Sequence, residues 1–167
     1  MDKGTTIMGI VIVLICALPI ILSTVNNSKR KKRILQGLYD FAAINNCKIS
    51  KYAMINNLTI GIDEPSLMIF FIKKTNENDI LQQINLSEIQ KCKVINSARS
   101  VKSKDNSLNV IEKIELAFAF KDKNKKEILL EFYNHINDGS TFTGDVNLVE
   151  QWCEIINNKI STISKQI

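Results

Sequence analysis

The fold reading turns on residues 110–120, Val110-Ile111-Glu112-Lys113-Ile114-Glu115-Leu116-Ala117-Phe118-Ala119-Phe120. Ile114, Leu116, Phe118 and Phe120 alternate with Lys113, Glu115, Ala117 and Ala119. Successive side chains of an extended strand point to opposite faces, so the four large apolar residues line one face and the charged and small ones the other. The polar run KDKNKK, residues 121–126, then breaks the pattern, and residues 128–133 return as a second strand, which completes a hairpin.

Working upstream, residues 48–55 and 58–62 read as short strands separated by Asn56-Asn57. Asp63-Glu64-Pro65-Ser66 is a turn by composition, and LMIFFIKK, residues 67–74, is a strongly apolar strand. A turn at 75–79, a weaker strand at 80–84, a strand at 92–101 and a polar loop at 103–107 complete the run. Downstream, 135–144 reads as a polar loop. Asp145 then caps a final helix with Leu148, Val149, Trp152, Ile155, Ile156, Ile160 and Ile163 on one stripe. Near the other end, residues 28–45 read as an amphipathic helix with Ile34, Leu38, Phe41 and Ala42 on one face, stopped by Asn45-Asn46. The expected class is α+β: a bent, mostly antiparallel sheet of six or seven strands closed by a C-terminal amphipathic helix.

Ahead of this domain stands IMGIVIVLICALPIILSTV, residues 7–25, without a charge and with twelve Ile, Val or Leu. As a helix it reaches about 28 Å, close to the thickness of the bilayer hydrocarbon core. Those twelve side chains contribute roughly −4 to −7 kcal/mol to insertion. No small-x-small cleavage site follows, Ile15 rather than a small residue precedes Cys16, and five consecutive basic residues would resist translocation. An uncleaved N-terminal transmembrane helix is therefore expected. The positive-inside rule holds Lys29, Arg30, Lys31, Lys32 and Arg33 in the cytoplasm, with the N-terminus outside. The expected divisions are 1–27 for tail and span, 28–46 for a basic juxtamembrane helix and 47–167 for the soluble domain. The expected location is the inner membrane of a bacterium, single-pass.

The net charge of +5 is local. Removing Lys3 and the run Lys29 to Arg33 from the 22 basic residues leaves 16, and removing Asp2 from the 17 acidic ones also leaves 16. A neutral domain has no basic field to attract a phosphate backbone, so nucleic acid is not an expected partner. Cys16, Cys47, Cys92 and Cys153 are widely spaced and form no CxxC pair, which fits reduced thiols rather than a zinc clip.

The strand run from Leu58 to Tyr133, followed by a closing helix with Trp152 at its centre, resembles the pleckstrin-homology-like superfamily, which includes the GRAM domains. The resemblance covers roughly residues 48–164 and implies a module that binds lipid headgroups or protein partners. Inositide-binding members carry basic residues in the first hairpin loop, whereas the matching loop here, taken as Asp63-Glu64-Pro65-Ser66, is acidic. That shifts weight toward a protein partner.

Little else carries chemistry. His135 is the only histidine, and the six glycines form no phosphate-cradling loop, so no catalytic residue, cofactor or metal is assigned. The expected function is a membrane-anchored, non-enzymatic cytoplasmic interaction module. The alternative is an anionic-lipid surface sensor in which Lys29, Arg30, Lys31, Lys32 and Arg33 act with Lys121, Lys123, Lys125 and Lys126 of the hairpin loop.

Overall fold

The structure, a computed structural model, describes residues 31–55, 57–75, 78–102, 107–138 and 146–164. The apolar segment 7–25, Lys29, Arg30 and the expected cap Asp145 lie outside the described residues. No helix among the described residues is long and apolar enough to cross a membrane. The chain divides into two units, residues 1–37 and 38–167, with the boundary inside the helix α1, which covers residues 31–44.

In the second unit the chain leaves α1 through Asn46, whose positive φ of 56° is the left-handed conformation that ends helices. The amides of Asn46 and Cys47 donate to the Ala43 and Ala42 carbonyls, each at 3.0 Å, so the last carbonyls of the helix are satisfied. Asn45-Asn46 therefore stops the helix, as its composition predicts.

Seven strands follow among the described residues: β1 (Lys51–Ile55), β2 (Leu58–Asp63), β3 (Met68–Lys73), β4 (Ile80–Asn85), β5 (Ile89–Lys102), β6 (Ser107–Phe120) and β7 (Ile128–Asn134). All pairings are antiparallel, but they form two sheets where one bent sheet was expected. The order is β1-β2-β3-β4 in the first and β5-β6-β7 in the second. The break falls at the 3-10 turn Leu86–Glu88, which Asn85 caps by accepting from the Ser87 amide. Where β4 and β7 come together, a side chain replaces a ladder: Gln82 Nε2 donates to the Leu129 carbonyl at 3.4 Å.

The two central strands of the first sheet, β2 and β3, are buried on both sides. Leu58, Ile60, Ile62, Ile69 and Phe71 belong to the main core, together with Leu116, Phe118, Leu130 and Phe132 of the second sheet. On the opposite face Phe41 of α1 meets Phe70 edge to face at 5.4 Å, and Leu38 lies against Gly61. A strand covered on both faces reads as a continuous apolar run, which is why residues 67–74 show no alternation.

Beyond the core, β6 pairs with β7 only from Lys113 to Phe118, so the distal parts of β5 and β6 form a two-stranded ribbon. A register shift sets Ile114 opposite Tyr133 and Glu115 opposite Glu131. Phe132 is the extra residue of that bulge, and Leu130, Phe132 and Tyr133 are all buried around it. The expected polar loop after β7 begins instead with a single helical turn, α2 (His135–Asp138). The closing helix is α3 (Val146–Ser164), with Val149, Trp152, Ile156 and Ile160 in the core.

Candidate functional site

Strand edges and exposed charge are the features from which recognition could be built. Of the four sheet edges, β5 is closed by a side chain. The Cys92 amide donates to Asn157 Oδ1 at 2.9 Å, and Asn157 Nδ2 donates to the Cys92 carbonyl at 2.9 Å. A primary amide offers one acceptor and a donor pair side by side, so Asn157 reproduces the pairing a neighbouring strand would make. Further along, the exposed residues of this strand are mostly polar, Asn96, Ser97 and Arg99 among them, with Ile95 the exposed large apolar residue, and Arg99 pairs with Glu112 at 3.2 Å. Charge on an edge discourages pairing with another chain.

The β4 edge carries exposed Ile80 and Leu81, close to exposed Leu129 on β7, and Gln82 bridges the two strands.

The β1 edge differs from both. Among the described residues β1 pairs only with β2. Tyr52 on this strand is 46 % exposed, and its ring packs edge to face on Tyr39 of α1 at 6.3 Å. Main chain unpaired among the described residues is thus flanked by two accessible phenol rings, a residue type enriched where proteins meet.

The lysines chosen from sequence fall into separate settings. Lys31, Lys32 and Arg33 are exposed on α1. Lys121, Lys123, Lys125 and Lys126 are exposed in the β6–β7 loop. Lys125 is already engaged: its ammonium is 2.6 Å from Glu88 Oε2 and 5.2 Å from the centre of the Phe120 ring. The hydrogen bond to Glu88 raises its pKa. Lys121, Lys123 and Lys126 have no ion-pair partner among the described residues.

The first hairpin loop is not the acidic one. β1 and β2 are joined at residues 56–57, and Asp63 begins the turn between β2 and β3. The Asn57 side chain donates to the Lys74 carbonyl at 2.6 Å, which ties the two-residue turn to the start of the β3–β4 loop. This loop is two residues long and carries no charge. Asp63 is structural: its carboxylate accepts the Lys48 amide at 2.7 Å and the Ser66 amide at 3.1 Å. Burial pushes its carboxyl up, but those two amides, together with the Ser66 and Cys47 side chains, outweigh burial and hold it below the ordinary value. It borders an open depression of about 370 Å³ together with Asn46, Lys48, Ser50 and Ser66.

One polar cluster escaped the sequence reading. Lys73, with 1 % of its side chain exposed, pairs with Glu131 at 3.0 Å and Asp138 at 2.7 Å. Asn134 supplies its side-chain amide to Glu131 and its backbone amide to Asp138, each at 2.9 Å, and Lys113 joins Glu115 at 2.8 Å. The signal was present: period two places Lys73 on the face of Ile69 and Phe71, where a charge needs partners. The cluster holds no nucleophile, and every charge in it is matched, so it joins β3 to β7 and α2 rather than offering a reactive group. His135 sits beside it with Nδ1 buried and without a hydrogen-bond partner in the described structure.

Comparison with protein-family models, with curated proteins and with solved structures finds no match for this chain.

Proposed function

We propose that this chain is a membrane-tethered, non-enzymatic module that receives a protein partner along the β1 edge, as an added strand set against Tyr39 and Tyr52. The observation that carries this reading is the contrast between edges. β5 is capped by Asn157 and carries Arg99 beyond it, whereas β1 pairs among the described residues only with β2 and runs beside two exposed rings. Main-chain pairing supplies affinity in such recognition and the flanking side chains supply selectivity. The 4 + 3 arrangement of sheets with a closing helix centred on Trp152 supports the likeness to pleckstrin-homology-like modules. The apolar segment 7–25 with its basic flank supports a cytoplasmic domain anchored to the inner membrane.

The test places a photo-crosslinking residue at Lys51 in the full-length chain in intact membranes. A discrete adduct that disappears on Tyr52→Ser is expected. An adduct unaffected by Tyr52→Ser, or none from Lys51, would overturn the reading.

Lys121, Lys123 and Lys126, exposed and without an ion-pair partner among the described residues, favour a second reading, contact of the β6–β7 loop with anionic headgroups. A fluorophore on Asn124 of the full-length chain in nanodiscs should then be quenched from the headgroup level in anionic bilayers and not in neutral ones. Equal quenching in both would remove it.

A further inference from the structure

Cys92 in β5 is buried, and Cys153 in α3 is half-buried beside it. Cys153 Sγ lies 3.5 Å from the Cys92 carbonyl oxygen, which places the two thiol-bearing residues in direct contact. Asn157, one turn further along α3, fixes this register. Its amide grips the Cys92 main chain at both polar atoms, and its Nδ2 is 3.5 Å from Cys153 Sγ. Two cysteines 61 apart in sequence are thus brought into contact, and the Asn157 grip on the Cys92 main chain that sets their register does not depend on either sulfur. The third described cysteine, Cys47, is engaged locally, its thiol donating to the Asn45 carbonyl at 3.4 Å.

We propose that Cys92 and Cys153 form a reversible intramolecular disulfide, a modification site that fastens the closing helix to the edge strand of the second sheet when a low-molecular-weight disulfide is present as oxidant.

The order of events follows from exposure. The Cys153 thiolate attacks one sulfur of the oxidant, the oxidant's S–S bond breaks, and one small thiol leaves with the proton that Cys153 gave up. Cys92 then attacks the Cys153 sulfur and displaces the second small thiol, which takes the Cys92 proton. Two protein thiols are oxidised and one external disulfide is reduced to two thiols. Burial, then the neighbouring Cys153 sulfur, pushes the Cys92 thiol up, so the second step is the slow one. Removing the Cys153 thiolate in the first step relieves part of that effect.

The test incubates the full-length chain, purified in detergent micelles, with oxidised glutathione, blocks the remaining thiols by alkylation and maps the products by mass. The expected sequence is a glutathionyl adduct on Cys153, followed by a species lighter than the reduced chain by two hydrogens in which the Cys92 and Cys153 peptides are joined. Dithiothreitol should reverse it, Cys153→Ala should abolish both products, and Cys47→Ser should change neither. Trp152 fluorescence reports that each variant keeps its fold. A glutathionyl adduct on Cys153 that persists without closing, or both thiols still open to alkylation in the folded chain, would overturn the proposal.

Discussion

Lys73 at the end of β3 and Asp138 in α2 are joined by a 2.7 Å ion pair although Lys73 is buried. A buried ammonium stays charged only when its surroundings replace the water it loses, and here Glu131 supplies a second carboxylate at 3.0 Å. The pair is the point at which the first sheet, the second sheet and the segment leading toward α3 are held together by charge. Substituting one member leaves the others desolvated, and this asymmetry makes the cluster testable.

Lys73→Met should destabilise the domain by about 3 kcal/mol, the lower end of the range for breaking a buried pair, because both carboxylates keep some access to water. Asp138→Asn should cost less, about 1 kcal/mol, since Lys73 retains Glu131. Denaturant unfolding followed by the fluorescence of Trp152, the single tryptophan and a core residue, measures both. Equal losses for the two variants would mean that Glu131 does not hold Lys73 on its own.

Acid should weaken the same region. Burial pushes the Glu131 carboxyl up, but the Asn134 amide and the Lys73 and Lys113 ammonium groups outweigh burial and hold it below the ordinary carboxylate value. A depressed folded pKa contributes stability that is complete above the unfolded value of about 4.3 and is lost as pH falls through the folded one. Stability should therefore be level in this contribution from neutral pH down to about 5 and decline below about 4. Glu131→Gln should flatten that decline, read as the slope of unfolding free energy against pH. Asp63, depressed by the Lys48 and Ser66 amides, adds to the slope in the same direction and should leave part of it in the variant.

Removing the Asn157 amide should act on stability and on association together. Asn157→Ala orphans the amide and carbonyl of Cys92 at an edge that α3 otherwise closes, at a cost of about 1–3 kcal/mol. The reopened edge should also pair with other copies of the chain, seen as concentration-dependent growth in size by light scattering. Asn157→Asp should be worse than Ala for stability, because its carboxylate keeps the acceptor for the Cys92 amide but faces the Cys92 carbonyl without a proton. Destabilisation without any growth in size would show that α3 covers the edge by packing alone.

What was legible in the sequence is what one element reveals by itself. β6 shows its alternation because Ile114, Leu116 and Phe118 face the core while the other face carries Lys113 and Glu115, which pair with each other. α3 shows its stripe for the same reason. The division into two sheets was hidden because it depends on Asn85 capping a three-residue turn and on Gln82 reaching Leu129, a contact 47 residues away in sequence. The same holds for the polar sites: Lys73 finds Glu131 and Asp138 across 58 and 65 positions, and Asn157 finds Cys92 across 65. The first hairpin was misplaced because the two-residue connection at 56–57 is less conspicuous than Asp63-Glu64-Pro65-Ser66, whose composition is that of a turn but which serves the second hairpin.

Gly61 tests how closely α1 lies on the first sheet. A Cβ built at this position would come within 2.9 Å of Leu38 Cδ2 and 3.2 Å of two Ile49 carbons, so an added methyl must displace the helix or both side chains. Gly61 is in the middle of β2, where a side chain normally favours the strand, so the missing side chain reflects the close approach of Leu38 rather than a demand of the backbone. Gly61→Ala should therefore destabilise by about 1–3 kcal/mol, the usual cost of overpacking a filled interior. Leu38→Ala alone should cost about 2–5 kcal/mol through the cavity it leaves. The double variant Gly61→Ala, Leu38→Ala should lose less than the sum, because the new methyl occupies space that Leu38 has vacated. A coupling of about 1 kcal/mol or more in that cycle would place the helix against Gly61 in solution. Strict additivity would mean that Leu38 and Gly61 do not touch, and that Phe41 on Phe70 carries the docking of α1 without them.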